Sequence, residues 1–185
     1  DSAAVVRAES TRATTPTPAA ARPPATPTGG CGGDSRPVVE LTGEISEDAT
    51  LTCDKTYLLR FTTIVTPGVT LTIQPGTVLH GDTETKGVLV VQPGGRLMAR
   101  GTADRPILFT SDKPPSERRP GDWGGVILLG QAPVNLRDAH GQPTTGRVEG
   151  LTTGGDYGGQ LVDDSSGALT FVRIEYSGTQ IAPNN

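Results

Sequence analysis

Apolar and polar residues alternate strictly through Val69-Thr70-Leu71-Thr72-Ile73, which puts Val69, Leu71 and Ile73 on one side of an extended segment and both threonines on the other. Val172-Arg173-Ile174-Glu175-Tyr176 repeats the pattern and sets Arg173 and Glu175 on a shared strand face. Just upstream, Leu169 and Phe171 have the opposite parity, so a bulge or corner is predicted near Phe171. No segment longer than ten residues shows a 3.6-residue period, and no substantial helix is expected. From residue 38 onward the chain reads as short β-branched runs divided by turns.

Those turns recur. Thr66-Pro67-Gly68, Gln74-Pro75-Gly76 and Gln92-Pro93-Gly94 each follow a β-branched pair. Proline presets φ for the second position of a turn, and glycine accepts the positive φ of the third in type II. The flanks align as well: Leu71 to Gly81 resembles Leu89 to Gly101, with the two Gln-Pro-Gly turns 18 residues apart. Self-similarity near 20 residues, built of strands and turns, predicts a solenoid whose stacked coils bury small aliphatic side chains along the axis. A Greek-key sandwich is the alternative, and it leaves the repeated turn unexplained.

Composition narrows the class. The chain holds 25 glycines and 16 prolines in 185 residues, about twice the average share, and only 4% aromatic residues. Helical bundles do not tolerate such a content of helix breakers. The longest apolar runs, such as Val88 to Val91 and Val126 to Leu129, are four residues, far short of the ~20 needed for a membrane-spanning helix. A net charge of −4 leaves no cationic excess to neutralise phosphates, so nucleic acid is not an expected partner. Asp138 to Asn185 carries six acids against two bases, which concentrates the negative charge in the last quarter.

Several runs together resemble a known family. They are Leu71 to Val78, Lys86 to Val91, Gly101 to Ser111, Pro120-Gly121-Asp122-Trp123-Gly124-Gly125-Val126 and Val172 to Gly178. In this order they are similar to exported, right-handed parallel β-helix surface proteins of Gram-negative bacteria, many of them lipoprotein-like. The likeness covers roughly residues 38 to 185. It implies an all-β, right-handed parallel β-helix, and further coils after the equivalent of Asn185. It also implies an extracellular or outer-surface location after removal of a signal peptide. The family brings no established catalytic residues with it.

Two domains are therefore expected: an Ala/Thr/Pro-rich disordered tail or stalk over residues 1–34, and the β-helix over 35–185. The tail has too little apolar periodicity to offset its ordering entropy. In an exported protein, Cys31 and Cys53 are expected to form a disulfide tying the end of the tail to the first strands. Lipidation of Cys31, beside Gly29-Gly30, and two free thiols in a cytosolic protein are the competing readings.

Three constellations suggest chemistry. Asp163-Asp164-Ser165-Ser166-Gly167, with Asp156 upstream, offers oxygen ligands for Ca²⁺, or else a polar turn between strands. Asp156, Asp163, Asp164 and Glu175 are also the candidates for an acid/base pair of the kind glycoside hydrolysis needs. Trp123, with Asp122 beside it and Tyr157 further on, could stack on and bond to a sugar; the competing reading packs Trp123 at a coil corner. No Gly-x-Ser-x-Gly elbow and no phosphate loop is present. Two functions follow from these readings. One is a non-enzymatic surface solenoid for adhesion, matrix or surface assembly, binding glycans or a surface protein with Ca²⁺ and self-associating through its C-terminal end. The alternative is a polysaccharide-active hydrolase or lyase with a carboxylate groove.

Overall fold

The computed structural model describes Cys31, residues 35–151 and residues 153–179. The expected tail over residues 1–34, Cys31 apart, lies outside the described residues. Among the described residues there are thirteen strands and no helix: β1 (Val38–Ile45), β2 (Ala49–Leu51), β3 (Thr56–Val65), β4 (Thr70–Ile73), β5 (Val78–Gly81), β6 (Val88–Val91), β7 (Arg96–Arg100), β8 (Ile107–Ser111), β9 (Gly125–Leu128), β10 (Gly146–Arg147), β11 (Asp156–Tyr157), β12 (Gly167–Thr170) and β13 (Val172–Ile174).

All but the small β10–β11 pair join parallel ladders that define three faces of a parallel β-helix, the fold the resemblance implied. The first face stacks the leading halves of β1 and β3 on β5, β8 and β13. The second stacks their trailing halves on β6 and β9. The third is β2, β4, β7 and β12. Two long strands thus serve two faces each. β3 bends at Phe61, which takes a positive φ of 51°, and β1 bends at Gly43, where its register shifts. The corner predicted near Phe171 is present: Phe171 has φ 47° and separates β12 on the third face from β13 on the first.

The 18-residue offset is not the coil repeat. Gln74-Pro75-Gly76 joins β4 to β5, whereas Gln92-Pro93-Gly94 joins β6 to β7, so the two matching turns occupy different corners. The turn that stacks on Gln92-Pro93-Gly94 is Thr66-Pro67-Gly68, whose Gly68 N–H donates to the Gly94 carbonyl at 2.9 Å, with φ 82° and 83° at the two glycines. Val38, Thr56, Val78 and Leu108 form one column, so successive coils take up 18, 22 and 30 residues. Type II turn chemistry repeats at every kind of corner, and insertions between strands hide the true period.

The interior column holds Leu59, Leu71, Ile73, Leu79, Leu89, Val91, Leu97, Ile107 and Phe109, each at most 2% exposed. Burial of each such side chain contributes roughly 1.5–3 kcal/mol. A second, outer cluster of Ile64, Val88, Val90, Leu129 and Leu151 forms because the long segment between β9 and β12 folds over the second face. β6 is therefore buried on both sides, and Val88-Leu89-Val90-Val91 shows no alternation.

Candidate functional site

The long segment between β9 and β12 also returns to the solenoid at the corner between the second and third faces. There it walls a cleft of about 570 Å³ against Gly94 and Arg96. Arg96 opens β7 and projects outward, because Leu97 takes the inward position in the alternation. The loop is fixed by Asp164, whose Oδ2 accepts the Gln131 N–H at 2.6 Å, and by Ser166, whose hydroxyl donates to the Leu129 carbonyl at 3.2 Å. Gln131, Gln160, Asp163 and Ser165 complete the polar lining, and the exposed Leu161 and Val162 supply apolar surface. Amides, a hydroxyl, a carboxylate and a guanidinium beside aliphatic surface suit a ligand that carries hydroxyls on an apolar ring. Asp163 is exposed, whereas Asp164 is committed to holding the loop.

The acidic residues singled out earlier do not converge. Asp156 stands on β11 in an exposed ion pair with Arg147 at 2.9 Å. Glu175 pairs with Arg173 and accepts the Thr110 hydroxyl at 3.4 Å on the first face. Only Asp163 and Asp164 share a site, and among the described residues no group of three or more His, Cys, Asp or Glu is placed to hold a metal. Asp156, Asp163 and Asp164 are thus not one ligand set.

The sugar platform is likewise dismantled. Trp123 is fully buried, stacks on Phe109 and donates its indole N–H to the Glu175 carbonyl at 2.8 Å. Glycine is required at position 81 because a Cβ there would come within 2.3 Å of the indole. Asp122 is 4% exposed, accepting Lys113 Nζ at 2.7 Å and the Arg119 N–H at 2.9 Å. Burial opposes its charge, yet the hydrogen bonds from Lys113, Arg119 and Ser111 win and hold its pKa at about 2. Tyr157 packs into the outer cluster with its ring over Gly146. Trp123 therefore packs at a coil corner, as the competing reading had it, and these three residues do not meet in one surface.

One feature the sequence reading missed lies on the outside of the first face. His80, Val38, Thr56, Leu58 and Asp112 line a groove of about 240 Å³. Burial first, and then the nearby Arg118, lower the His80 pKa, against the opposing pull of Asp112. The outward parity of His80 beside the buried Leu79 was readable. Its partners from β1, β3 and the loop after β8 were not, since only the stacking brings them together.

The Cys31–Cys53 disulfide is formed, with the two Cα atoms 5.0 Å apart. Residues 43–185 match the family model of the pectate-lyase-like β-helix domain. No curated protein matches the chain, and no solved structure matches it.

Proposed function

We propose, from the premise that the chain belongs to the family of pectate-lyase-like β-helix domains, that it is a non-enzymatic surface solenoid that binds polysaccharide in the corner cleft. The observation that carries this reading is the cleft itself: Arg96 from a rigid coil faces Gln131, Gln160 and Asp163 from a loop tied down by Asp164. A binding site needs such fixed, mixed donors and acceptors. A hydrolase or lyase needs two groups free to exchange protons, and here one of the two carboxylates is spent on the loop. Ca²⁺ enters the proposal as a bridge between Asp163 and sugar oxygens, with water and the ligand completing its six to eight oxygens. A disulfide of this kind is at home in an oxidising compartment, which supports action outside the cytoplasm.

A glycan array probed with and without Ca²⁺ tests the reading, followed by titration of the best ligand against Asp163→Asn and Gln160→Ala. Both substitutions should weaken binding about tenfold without moving the melting temperature. Depolymerisation of a polysaccharide that Asp163→Asn abolishes would establish the enzyme instead.

A further inference from the structure

The guanidinium of Arg105 sits on the disulfide. Its Nη2 lies 2.7 Å from Cys31 Sγ and 3.2 Å from Cys53 Sγ, and donates to the Pro75 carbonyl at 2.9 Å. Its Nε is buried with no partner, and among the described residues no carboxylate pairs with this arginine. A second cation is close by: Arg36 donates to the Cys53 carbonyl at 3.2 Å. Asp54 and Lys55 follow Cys53 in the chain, and Asp104 precedes Arg105. A neutral disulfide makes little use of a cation at this range. A thiolate makes full use of it, because the charge-assisted contact stabilises only the ionised sulfur.

We infer that Cys31–Cys53 is a reducible latch, in which Arg105 receives the thiolate released when an external thiol opens the bond. The two sulfurs are not equivalent. Cys31 is buried, whereas Cys53 is partly exposed, so the attacking thiolate reaches Cys53 Sγ. A mixed disulfide forms there, the S–S bond breaks, and its electron pair leaves on Cys31 Sγ, the sulfur nearer Arg105. The second thiol of a dithiol reductant then attacks the mixed disulfide, frees Cys53 as a thiol and ends as the oxidised ring. A better-stabilised leaving thiolate speeds the first step and favours the reduced pair. The loop that the bond closes contains β1 and β2, the whole first coil, while Arg105 belongs to the connection between β7 and β8. Opening the latch thus unties the two ends of the first coil from each other, while the Cys31 thiolate stays on Arg105 of a later one.

The test uses the full chain reduced by dithiothreitol under native conditions. In the wild type, one thiol should titrate well below the ordinary ~8.5 of a free cysteine, read from thiolate absorbance. Arg105→Met should return that titration to the ordinary range. It should also lower the equilibrium constant for reduction by dithiothreitol about tenfold, which for a two-electron couple is ~30 mV. Arg105→Lys, which keeps a point charge, should fall between the two. The proposal is overturned if the wild-type thiols both titrate near the ordinary value, or if Arg105→Met is reduced as readily as the wild type. The wild-type titration decides alone should Arg105→Met fail to fold.

Discussion

The indole of Trp123 lies parallel to the ring of Phe109, at 7° between planes and 6.5 Å between centroids, with Gly81 of the preceding rung packed against the indole. These aromatic rings fill a space that aliphatic residues fill elsewhere in the interior. Trp123→Phe should therefore cost about 2–4 kcal/mol, from the cavity and from the Glu175 carbonyl left without its donor. Gly81→Ala should cost a further 1–3 kcal/mol or more by overpacking. In the background of Trp123→Ala the same Gly81→Ala change should cost far less, because the clashing ring is gone. Urea denaturation of the four variants of that cycle measures the coupling.

Acid should weaken the fold through Asp122. Its folded-state pKa is depressed from 3.8 to about 2, so its contribution is complete above pH ~3.8 and is lost as the pH falls towards 2. Melting temperatures across that window should drop more steeply in the wild type than in Asp122→Asn. The variant should also be less stable at neutral pH, since Lys113 and the Arg119 N–H lose a charged acceptor.

His80 acts in a milder range and with the same sign. Its folded-state pKa lies below 6.5, so protonation favours the unfolded chain, and stability present above pH 6.5 declines as the pH falls through the folded value. His80→Gln should flatten the stability profile as the pH falls below 6.5. An unchanged slope in that variant would mean that burial against Leu58 and the nearness of Arg118 do not disfavour the cation as described.

How much of this was readable from the chain differs by feature. The alternation of Val69 to Ile73 put Leu71 and Ile73 in the core correctly, and the parity break before Phe171 located a real corner. The period was misread because a Pro-Gly turn reports local backbone geometry and not which corner of the coil it occupies. Val88 to Val91 looked merely apolar, since nothing local shows that the segment carrying Leu129 and Leu151 covers its outer side. For the cleft, Asp163 and Asp164 marked the loop, but Arg96, Gln131 and Gln160 join them only through the closure of a segment nearly forty residues long. For Trp123 both the stacking and the packed readings stood open, because its exposure is a question of packing that composition cannot answer.

Among the described residues, β9, β12 and β13 are the last strands of the three faces. Leu128 pairs in register with the buried Val91, Leu169 with Ala99 and Ile174 with Phe109, so all three side chains point along the core column. Yet they remain 41%, 46% and 43% exposed, because no described strand lies beyond β9, β12 and β13. Phe171, between β12 and β13, adds another exposed ring at 56%. Together these present apolar surface framed by three parallel edges that no described strand pairs, the arrangement that solenoids cap with a polar element or cover with another coil. A second copy that adds its strands to these edges would cover them, which is the self-association through the C-terminal end expected from the sequence. Sedimentation velocity should therefore show self-association that rises with protein concentration and weakens when Leu169 is replaced by Lys. Lysine at that edge puts an unpaired charge where a strand would dock, while the exposed position spares the folded coil a core penalty. A wild-type protein that stays monomeric at high concentration would overturn this self-association and leave the proposed glycan binding in the corner cleft untouched.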